Sequence, residues 1–371
     1  MTPIDWAGIH KRSSISLTTL PLTLLSYLYS LGVRLRLNAY QGKKRRSLPG
    51  FVVSIGNLTA GGTGKTPAAC TLAQWALDEG YRVAVLSRGY GGAFKGKVLE
   101  VSDGKRVKTG CDESGDEPYL MAKKLQGIPV IVSPKRYLGG QFAHKKFGTN
   151  FFILDDGFQH LALNRNLDLV LLDASNPFGN GYLLPRGPLR EPVNQLKRAD
   201  AFIITRSGRD GSSDEWIDEL KNRYPSKPIF RSDHLPEKIV IPSRGLVNNV
   251  DLINGKDIMG FAGIARPDAF METLTELGAE LVFFKVFRDH HPYQSREIQE
   301  LMTEKRRLKA DFLLTTEKDW VRMESFIPQY PDLAYLTIKF SLLDDEDKFF
   351  RMLNEKAKGI GNPENGIRKG E

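Results

Sequence analysis

The stretch Thr59-Ala60-Gly61-Gly62-Thr63-Gly64-Lys65-Thr66 decides how the first half of this chain folds. It lies between the apolar run 51–55 and the helix-like segment 67–77. A glycine-rich turn between a strand and a helix directs backbone N–H groups and the positive end of the helix dipole at anionic oxygens. The stretch therefore predicts a nucleoside triphosphate site, in which Lys65 reaches the β- and γ-phosphates and the Thr66 hydroxyl holds Mg²⁺. The usual pattern begins with glycine, where this chain has Thr59.

The composition is that of a globular protein of two domains. The chain has 371 residues, of which 41% are hydrophobic and 26% charged, enough for two cores. Two cysteines, Cys70 and Cys111, give no disulfide framework, and the six histidines have no zinc-ligand spacing. A reducing compartment is therefore predicted, and a disulfide-stapled or zinc-dependent protein is not.

The net charge of +9 is concentrated at the start of the chain. Residues 1–77 hold nine lysines and arginines and a single acid, Asp5, whereas the remainder is nearly neutral. This asymmetry predicts that the N-terminal segment touches an anionic surface. No aromatic interleaving or nucleic-acid motif accompanies the basic residues. The predicted partner is therefore a membrane surface, and no nucleic acid is expected to bind.

Residues 13–33 predict a helix at that surface. Leucines and hydroxylic residues each recur at helical spacing, which gives a broad apolar face and a stripe of Ser and Thr. Such a helix is about 32 Å long, enough to cross a bilayer. A position in the membrane–water interface is favoured over spanning, because the segment has many hydroxyls, Pro21 in its middle and basic residues at both ends. Arg34, Arg36 and residues 43–46 would hold the helix at the membrane surface. Packing on the protein's own core is the alternative.

Beyond the glycine-rich loop, apolar runs and amphipathic segments alternate. This pattern predicts a parallel sheet covered by helices on both faces, with ligands at the carboxyl ends of the strands. The predicted strands are 51–55, 82–86, 129–132, 151–154, 167–172 and 201–205, with helices at 67–77, 117–125 and 135–146. A proline-studded extended stretch, 224–242, precedes a second block with strands 257–262, 280–286 and 311–315 and helices 267–277 and 295–308.

The predicted fold class is thus α/β: a P-loop NTPase-like α/β/α sandwich with a second, smaller α/β domain and an N-terminal membrane-interacting helix. The site is expected in the cleft between the two domains. The predicted segments are 1–46 for the membrane-associated helix and basic segment, 47–225 for the phosphate-loop domain, 226–255 for an extended linker, 256–355 for the smaller C-terminal domain and 356–371 for a disordered tail.

Two strand ends carry acids of the kind that lie beside Mg²⁺ in phosphate-loop folds. The run 151–154 leads to Asp155 and Asp156, and the run 169–172 leads to Asp173. The pattern alone does not choose between them, although the paired acid followed by Gly157-Phe158-Gln159-His160 favours the first. Asp173 is otherwise an ordinary cap or turn residue.

Asp116 begins a predicted helix in Gly115-Asp116-Glu117-Pro118. A helix-capping role is favoured, because Asp followed by Glu and Pro suits a helix start. A carboxylate at this junction is also able to accept a hydroxyl proton. In the second block, Asp289-His290-His291 suits a base or a structural pair, and 316–319 suits either a base-reading loop or a helix cap.

Two further loops carry arginines. The segment 88–92 begins with Arg88 and is either a substrate loop or a simple turn. The proline-rich segment 184–192 holds Arg186 and Arg190, whose guanidinium forks suit phosphate recognition or transition-state charge. A solvated loop is the alternative for the second segment.

Taken together, these motifs resemble those of one family, tetraacyldisaccharide 4'-kinase, the lipid A 4'-kinase of Gram-negative bacteria. They occur in the family's order over nearly the whole chain, and Thr59 belongs to the family's own loop pattern. The stretches that carry the resemblance are 56–67, 87–91, 115–118, 154–160, 185–192, 261–265, 289–290 and 316–319.

The resemblance implies a kinase at the cytoplasmic face of the inner membrane. It would transfer the γ-phosphoryl group of ATP to the 4'-hydroxyl of a tetraacylated glucosamine disaccharide 1-phosphate, within two α/β/α domains joined by a short two-stranded linker. The implied base is Asp116 assisted by His290, which reverses the preference for a cap. Lys65 and the loop amides would cradle the phosphates, and Thr66, Asp155 and Asp156 would hold Mg²⁺. The candidate contacts to the lipid substrate are Arg88, Gln159, His160, Arg186 and Arg190.

Two other functional classes fit parts of the sequence. A membrane-associated ATPase or GTPase switch of the partition or metal-insertion type shares the Gly-Gly-x-Gly-Lys-Thr loop, but it has a signature lysine where this chain has Ala60. A non-enzymatic, basic membrane-binding protein with a decayed nucleotide site would not need Lys65, Thr66 and the Asp155–Asp156 pair. The sequence does not indicate an oligomeric state.

Overall fold

The structure, a computed structural model, describes residues 8, 10, 19–40, 45–208, 214–326, 330 and 332–358. The strands are β1 (Phe51–Gly56), β2 (Val83–Ser87), β3 (Leu99–Asp103), β4 (Pro129–Val132), β5 (Phe151–Asp155), β6 (Leu167–Asp173), β7 (Ala201–Thr205), β8 (Ile229–Ile241), β9 (Leu246–Asn248), β10 (Asp257–Ala262), β11 (Glu280–Val286), β12 (Phe312–Thr316) and β13 (Leu333–Leu342). The α-helices are α1 (Leu20–Tyr40), α2 (Lys65–Asp78), α3 (Cys111–Ser114), α4 (Asp116–Lys124), α5 (Arg136–Phe147), α6 (Asp214–Arg223), α7 (Pro267–Glu276), α8 (Ser295–Leu308), α9 (Glu317–Trp320) and α10 (Glu346–Lys358).

Within the described residues, all of these strands join one sheet. Its order is β3-β4-β2-β5-β1-β6-β7-β8-β13-β12-β10-β11, and β9 pairs with β8. Neighbouring strands are parallel except at β3–β4, β8–β13 and β8–β9. The predicted α/β class with a largely parallel sheet is confirmed.

Helices cover both faces of the sheet because successive strand residues point to opposite sides. In β1, Phe51 and Val53 pack in the core that contains α2, whereas Val52 packs in a separate core with Ala143 of α5. Strands β1, β2, β5 and β7 are buried along their whole length. Burial on two faces explains why these strands read as continuous apolar runs.

The two halves of the sheet meet at β8. Its residues 229–231 pair in parallel with β7, and its residues 232–240 pair antiparallel with β13. The stretch predicted as extended, 224–242, is therefore largely one long strand. Together with β13 it forms a two-stranded ribbon between the first half, which carries the glycine-rich loop, and the second half.

The end of the chain returns to the first half. Helix α10 places Phe349, Leu353 and Ala357 in the same core as α2. The predicted boundaries place residues 346–355 of this helix in the smaller domain and its end in the tail, whereas the helix continues to Lys358 and its buried side chains join the core of the first half. It does so because β13 runs back along β8 and delivers the chain beside α2. Residues 359–371 of the predicted disordered tail lie outside the described residues.

Helix α1 ends later than predicted. It spans Leu20–Tyr40, and Pro21 lies in its first turn, where proline is tolerated, rather than in its middle. Residues 11–18, which hold the first part of the predicted helix, lie outside the described residues, as do Lys43 and Lys44. No described helix combines the length and hydropathy needed to cross a membrane.

The orientation of α1 is the reverse of that of an ordinary surface helix. Its buried residues include the hydroxylic Thr23 and Ser26, and Ser26 Oγ donates a hydrogen bond to the Leu183 carbonyl at 2.8 Å. Its large apolar side chains point outward, with Leu24 and Leu28 60% and 66% exposed. The predicted apolar face and hydroxyl stripe are both present, but the polar stripe faces the protein.

Candidate active site

A cavity of about 420 Å³ lies between the glycine-rich loop and the second half of the chain. Residues 60–67 form one wall. The loop that follows β10, residues 264–266, and His290 also line the cavity. This size suits a small-molecule ligand.

The loop has the geometry of a phosphate cradle. Gly64 adopts a left-handed backbone conformation (φ 79°) and Lys65 is the first residue of α2, so the helix N-terminus opens into the cavity. Lys65 Nζ donates a hydrogen bond to Asn57 Oδ1 at 3.1 Å and lies 3.5 Å from Asp156 Oδ1. The lysine is thus held at the mouth of the loop before any phosphate binds.

The two acids at the end of β5 have different environments. Asp156, in a left-handed conformation (φ 51°), accepts two hydrogen bonds from Arg190 Nη1 at 2.7 and 2.9 Å. Although burial favours its neutral form, Lys65 and Arg190 lower the pKa of this carboxyl to about 2. Asp155 is buried, and burial together with the charges of Glu117 and Asp156 raises its pKa to about 7.

The donor set around these acids fits Mg²⁺. Asp155 Oδ1 is buried without a hydrogen-bond partner, and Ser87 Oγ donates to Oδ2 at 3.3 Å. The described residues contain no group of three or more His, Cys, Asp or Glu side chains able to hold a metal. Mg²⁺ commonly uses one or two carboxylates together with substrate phosphates and water. Asp155, Asp156 and the Thr66 hydroxyl are therefore a sufficient protein contribution.

Asp116 and His290 meet across the cleft. His290 Nδ1 lies 2.8 Å from Asp116 Oδ2, and His290 lines the cavity while Asp116 is buried behind it. The same oxygen accepts hydrogen bonds from Arg322 Nε at 3.0 Å and Nη2 at 2.8 Å. Although burial opposes its charged form, the hydrogen bond from His290 and the charges of Lys318 and Arg322 hold the pKa of Asp116 well below its usual range.

These contacts bear on two alternatives left open by the sequence. Gly115 occupies the cap position of α4, while Asp116 Oδ1 accepts a hydrogen bond from the Glu117 N–H at 2.9 Å and Asp116 Oδ2 contacts His290 and Arg322 of the second half. His291 is not the partner of Asp116, because its Nε2 lies 3.0 Å from Glu297 Oε1.

The segment 316–319 joins the two halves. Thr316 caps α9 by accepting a hydrogen bond from the Asp319 N–H at 3.1 Å, as the second alternative for this segment predicted. Lys318 reaches Glu117 at 3.1 Å, and Glu317 accepts from Lys124 at 2.8 and 2.9 Å. We call these contacts between α4 and α9 the α4–α9 clasp.

The proline-rich segment 184–192 packs directly on the glycine-rich loop. The Ala60 N–H donates to the Pro188 carbonyl and the Arg190 N–H to the Leu58 carbonyl, each at 2.7 Å. This pairing brings Arg190 to Asp156. Arg186, predicted as a substrate contact, is instead fully buried with its guanidinium over the Tyr182 ring.

Gln159 and His160 lie in a cluster of cations beside α1. Gln159 Nε2 donates to the backbone carbonyl of Asn57. The backbone carbonyl of Gln159 accepts a hydrogen bond from Arg36 of α1 at 2.7 Å. Burial, with the charges of Arg136, Arg165, Arg36 and Arg88, lowers the pKa of His160 to about 4. Arg136 is buried beneath Asp155 and gave no signal in the sequence. The cluster suits an anionic group next to α1.

Asp173, the rival to the Asp155–Asp156 pair, has other partners. Its Oδ1 accepts hydrogen bonds from the Ser175 backbone and hydroxyl, and its Oδ2 contacts both Arg206 and Arg266. Since Asp156 is the acid beside Lys65, the geometry favours the Asp155–Asp156 pair as the metal ligands.

Comparison with known proteins identifies the family of this chain. The family model for Tetraacyldisaccharide-1-P 4'-kinase (LpxK) matches residues 18–358. A tetraacyldisaccharide 4'-kinase of Syntrophus aciditrophicus (strain SB) is 42% identical over 328 residues, 86% of this chain and 88% of that protein. One of Geobacter metallireducens is 40% identical over 325 residues, 87% of this chain and 94% of that protein.

A solved structure is similar over the same span. The crystal structure of LpxK from Aquifex aeolicus in complex with ATP has 32% sequence identity and a TM-score of 0.70, and the match covers 92% of this chain and 98% of that one. The family expected from the sequence motifs is therefore confirmed. On the family match, the identities with its relatives and the shared fold, this chain belongs to the tetraacyldisaccharide 4'-kinase family.

Proposed function

We propose that the chain transfers the γ-phosphoryl group of ATP to the 4'-hydroxyl of a tetraacyl glucosamine disaccharide 1-phosphate at the cytoplasmic face of the inner membrane. The observation that carries the proposal is that Lys65, Asp156 and His290 line one cavity, with Asp116 behind His290. A phosphate donor held by Lys65 would present its terminal phosphate toward His290.

The donor end uses the glycine-rich loop. Backbone N–H groups of residues 60–65 and the Lys65 ammonium would bind the β- and γ-phosphates. ATP is supported as the donor by the Aquifex aeolicus relative, which was solved in complex with ATP. When bound through Asp155, Asp156 and Thr66, Mg²⁺ would neutralise charge on the same phosphates.

The acceptor end uses the Asp116–His290 pair. Asp116 orients the imidazole by accepting from Nδ1, which leaves Nε2 able to accept the proton of the 4'-hydroxyl. The hydroxyl oxygen then bonds to the γ-phosphorus while the bond from that phosphorus to the bridging oxygen of ADP breaks. Asp116 stays ionised, because Arg322 and Lys318 favour its charged form, and it stabilises the imidazolium that forms.

The lipid end is served by α1. Its outward leucines would enter the acyl region of the membrane, while Arg36 and the cluster around His160 would face the phosphate and sugar of the acceptor. Arg88 and Gln159 belong to this same cluster, so we assign them to the acceptor. Arg190 binds Asp156 and is assigned to the transferring phosphate.

The test is label transfer from γ-labelled ATP to the lipid disaccharide 1-phosphate in detergent micelles. The wild-type chain is expected to label the lipid. Lys65→Ala is expected to abolish labelling although the variant unfolds at the same temperature as the wild type. Hydrolysis of ATP without labelled lipid would instead support a membrane-associated nucleotide switch and refute the proposal.

A further inference from the structure

Two arginines from opposite halves of the chain share one carboxylate at the edge of the glycine-rich loop. Arg206 follows β7 in the first half, and Arg266 lies in the loop after β10 in the second half. Both contact Asp173 Oδ2, with Arg266 Nη1 at 3.3 Å, and both line the cavity that holds Lys65. Neither arginine lies in the stretches that carry the family resemblance.

This arginine pair lies directly against the loop that binds phosphate. Arg206 Nη2 donates to the Gly62 carbonyl at 3.2 Å. A methyl group placed on Gly62 would lie 3.6 Å from the Cβ of Ala265, the neighbour of Arg266. The loop 264–266 therefore lies in contact range of the outer turn of the phosphate loop.

Asp173 shares one carboxylate oxygen, Oδ2, between the guanidinium groups of Arg206 and Arg266. The side chain of Arg266 is 37% exposed, and its other partner is the uncharged Ser175 Oγ at 3.2 Å. Because Arg206 also contacts Asp173 Oδ2, the carboxylate keeps a cationic partner when Arg266 leaves, so a phosphate oxygen would compete well for the Arg266 guanidinium.

We propose that Arg266 leaves Asp173 when ATP binds and that its guanidinium contacts the terminal phosphate. The second half of the chain then contributes a phosphate-binding arginine to the nucleotide held by the first half. Arginines in this role stabilise the charge that develops on a transferring phosphoryl group. This inference rests on the proposed function, because it assumes that the cavity holds ATP.

The test compares two nucleotides and two variants by calorimetric binding to the full chain with Mg²⁺. Arg266→Ala is expected to weaken binding of the non-hydrolysable analogue AMP-PNP about tenfold and binding of ADP less than about threefold, since only AMP-PNP carries the terminal phosphate. Asp173→Asn frees Arg266 and is expected to tighten AMP-PNP binding. Arg266→Lys, which keeps the charge but loses the planar fork, is expected to fall between Arg266→Ala and the wild type.

The control is Arg244→Ala, because Arg244 pairs with Asp332 at 2.7 Å outside the cavity. It should leave both affinities unchanged. Equal weakening of AMP-PNP and ADP by Arg266→Ala would show only a general charge effect and would overturn the proposal. Weakening by Asp173→Asn would overturn it as well, since the ion pair would then act only as a structural contact.

Label transfer to the lipid separates this inference from the proposed function. If the wild-type chain labels the lipid and Arg266→Ala binds AMP-PNP as tightly as the wild type does, the role of Arg266 is refuted and the kinase assignment stays intact. If the variants change AMP-PNP affinity as predicted but the wild-type chain does not label the lipid, the proposed acceptor is refuted and the arginine assignment stays intact.

Discussion

Asp116 Oδ2 lies 2.8 Å from His290 Nδ1, although the two residues are 174 positions apart and belong to opposite halves of the chain. Asp116 begins α4 beside the first sheet half, and His290 follows β11 at the far edge of the second. The left-handed conformation of His290 (φ 57°) and the hydrogen bond from its backbone N–H to the Gly263 carbonyl fix the ring toward α4. The pair therefore exists only where the two halves meet.

The assignment of the proton to His290 predicts chemical rescue. His290→Ala is expected to lower kcat by about 10²- to 10⁴-fold, the usual contribution of a general base. Added imidazole should restore part of that loss, because the cavity of about 420 Å³ gives a small ring access to the same position. Initial rates of lipid labelling with increasing imidazole measure this effect.

Asp116→Ala serves as the comparison for rescue. The same imidazole should not restore its activity, since the missing group is the carboxylate that orients the ring. Absence of rescue in His290→Ala, with folding intact, would return the role of direct base to Asp116.

The raised pKa of Asp155 predicts a pH dependence of stability. Between about pH 4 and 7 the native state binds this proton and the unfolded state does not, so the free energy of unfolding falls as pH rises through that interval. Asp155→Asn removes this titration. Relative to the wild type, the free energy of unfolding of the variant should therefore rise with pH, by on the order of 3 kcal/mol between pH 4 and pH 8.

Urea unfolding without nucleotide or Mg²⁺ at a series of pH values measures this difference. Titrations shared by both proteins cancel in the comparison. An identical pH dependence in the two proteins would show that Asp155 titrates as an ordinary carboxyl.

The outward face of α1 predicts membrane binding that depends on its leucines. The triple substitution of Leu24, Leu28 and Leu31 by Ser removes exposed apolar groups and should not disturb the buried hydroxyl stripe. Binding to vesicles of phosphatidylglycerol and phosphatidylcholine should fall about a hundredfold, because each leucine loses about 1 kcal/mol or more of transfer free energy.

A matched control is available in the second half. Leu246→Ser and Val247→Ser change residues that are 45% and 65% exposed on β9. They should leave vesicle binding unchanged. Unaltered binding by the triple variant of α1 in a sedimentation assay would refute the membrane role of this face.

The α4–α9 clasp predicts an asymmetric effect of neighbouring lysines. Lys124 pairs with the buried Glu317, whereas Lys123 pairs at 2.7 Å with Glu324, whose side chain is 31% exposed. Lys124→Met leaves a buried carboxylate without its partner and should lower the free energy of unfolding by about 3 kcal/mol. Lys123→Met should cost about 0.5 kcal/mol.

Denaturant unfolding of the two variants measures the asymmetry. Adding Glu317→Gln to Lys124→Met removes the unpaired charge and should recover part of the loss. If Lys124→Met and Lys123→Met lower the free energy of unfolding equally, the burial of Glu317 does not make its ion pair with Lys124 more important for stability.

Local sequence patterns predicted much of the fold, both for buried strands and for the partly exposed edge strand 280–286. Strands 129–132, 201–205, 257–262 and 280–286 and helix 295–308 occur at the predicted residues, because continuous apolar runs and helical periodicity are local signals. Strand β3 gave no such signal, since it is an edge strand that mixes charged and apolar residues. The position of α10 depends on the return path of β13, which no local pattern encodes.

The candidate site divides in the same way. The glycine-rich loop follows from its position between one strand and one helix, and Asp155 and Asp156 were candidates because they lie at the end of another strand. The contacts of Arg322 with Asp116 and of Arg266 with Asp173 arise only when the two halves come together, so no spacing predicts them. Arg186 shows the converse, since a motif arginine is buried against the protein itself.

Mapping the position of phosphorylation tests the central claim most directly. After incubation of the full chain with ATP, Mg²⁺ and the tetraacyl disaccharide 1-phosphate, the product is examined by phosphorus NMR and fragment mass spectrometry. The account predicts one added phosphate at the 4'-oxygen of the distal glucosamine, absent with Lys65→Ala and strongly reduced with His290→Ala. A lipid recovered without added phosphate while ATP is consumed, or one phosphorylated at another hydroxyl, would contradict it.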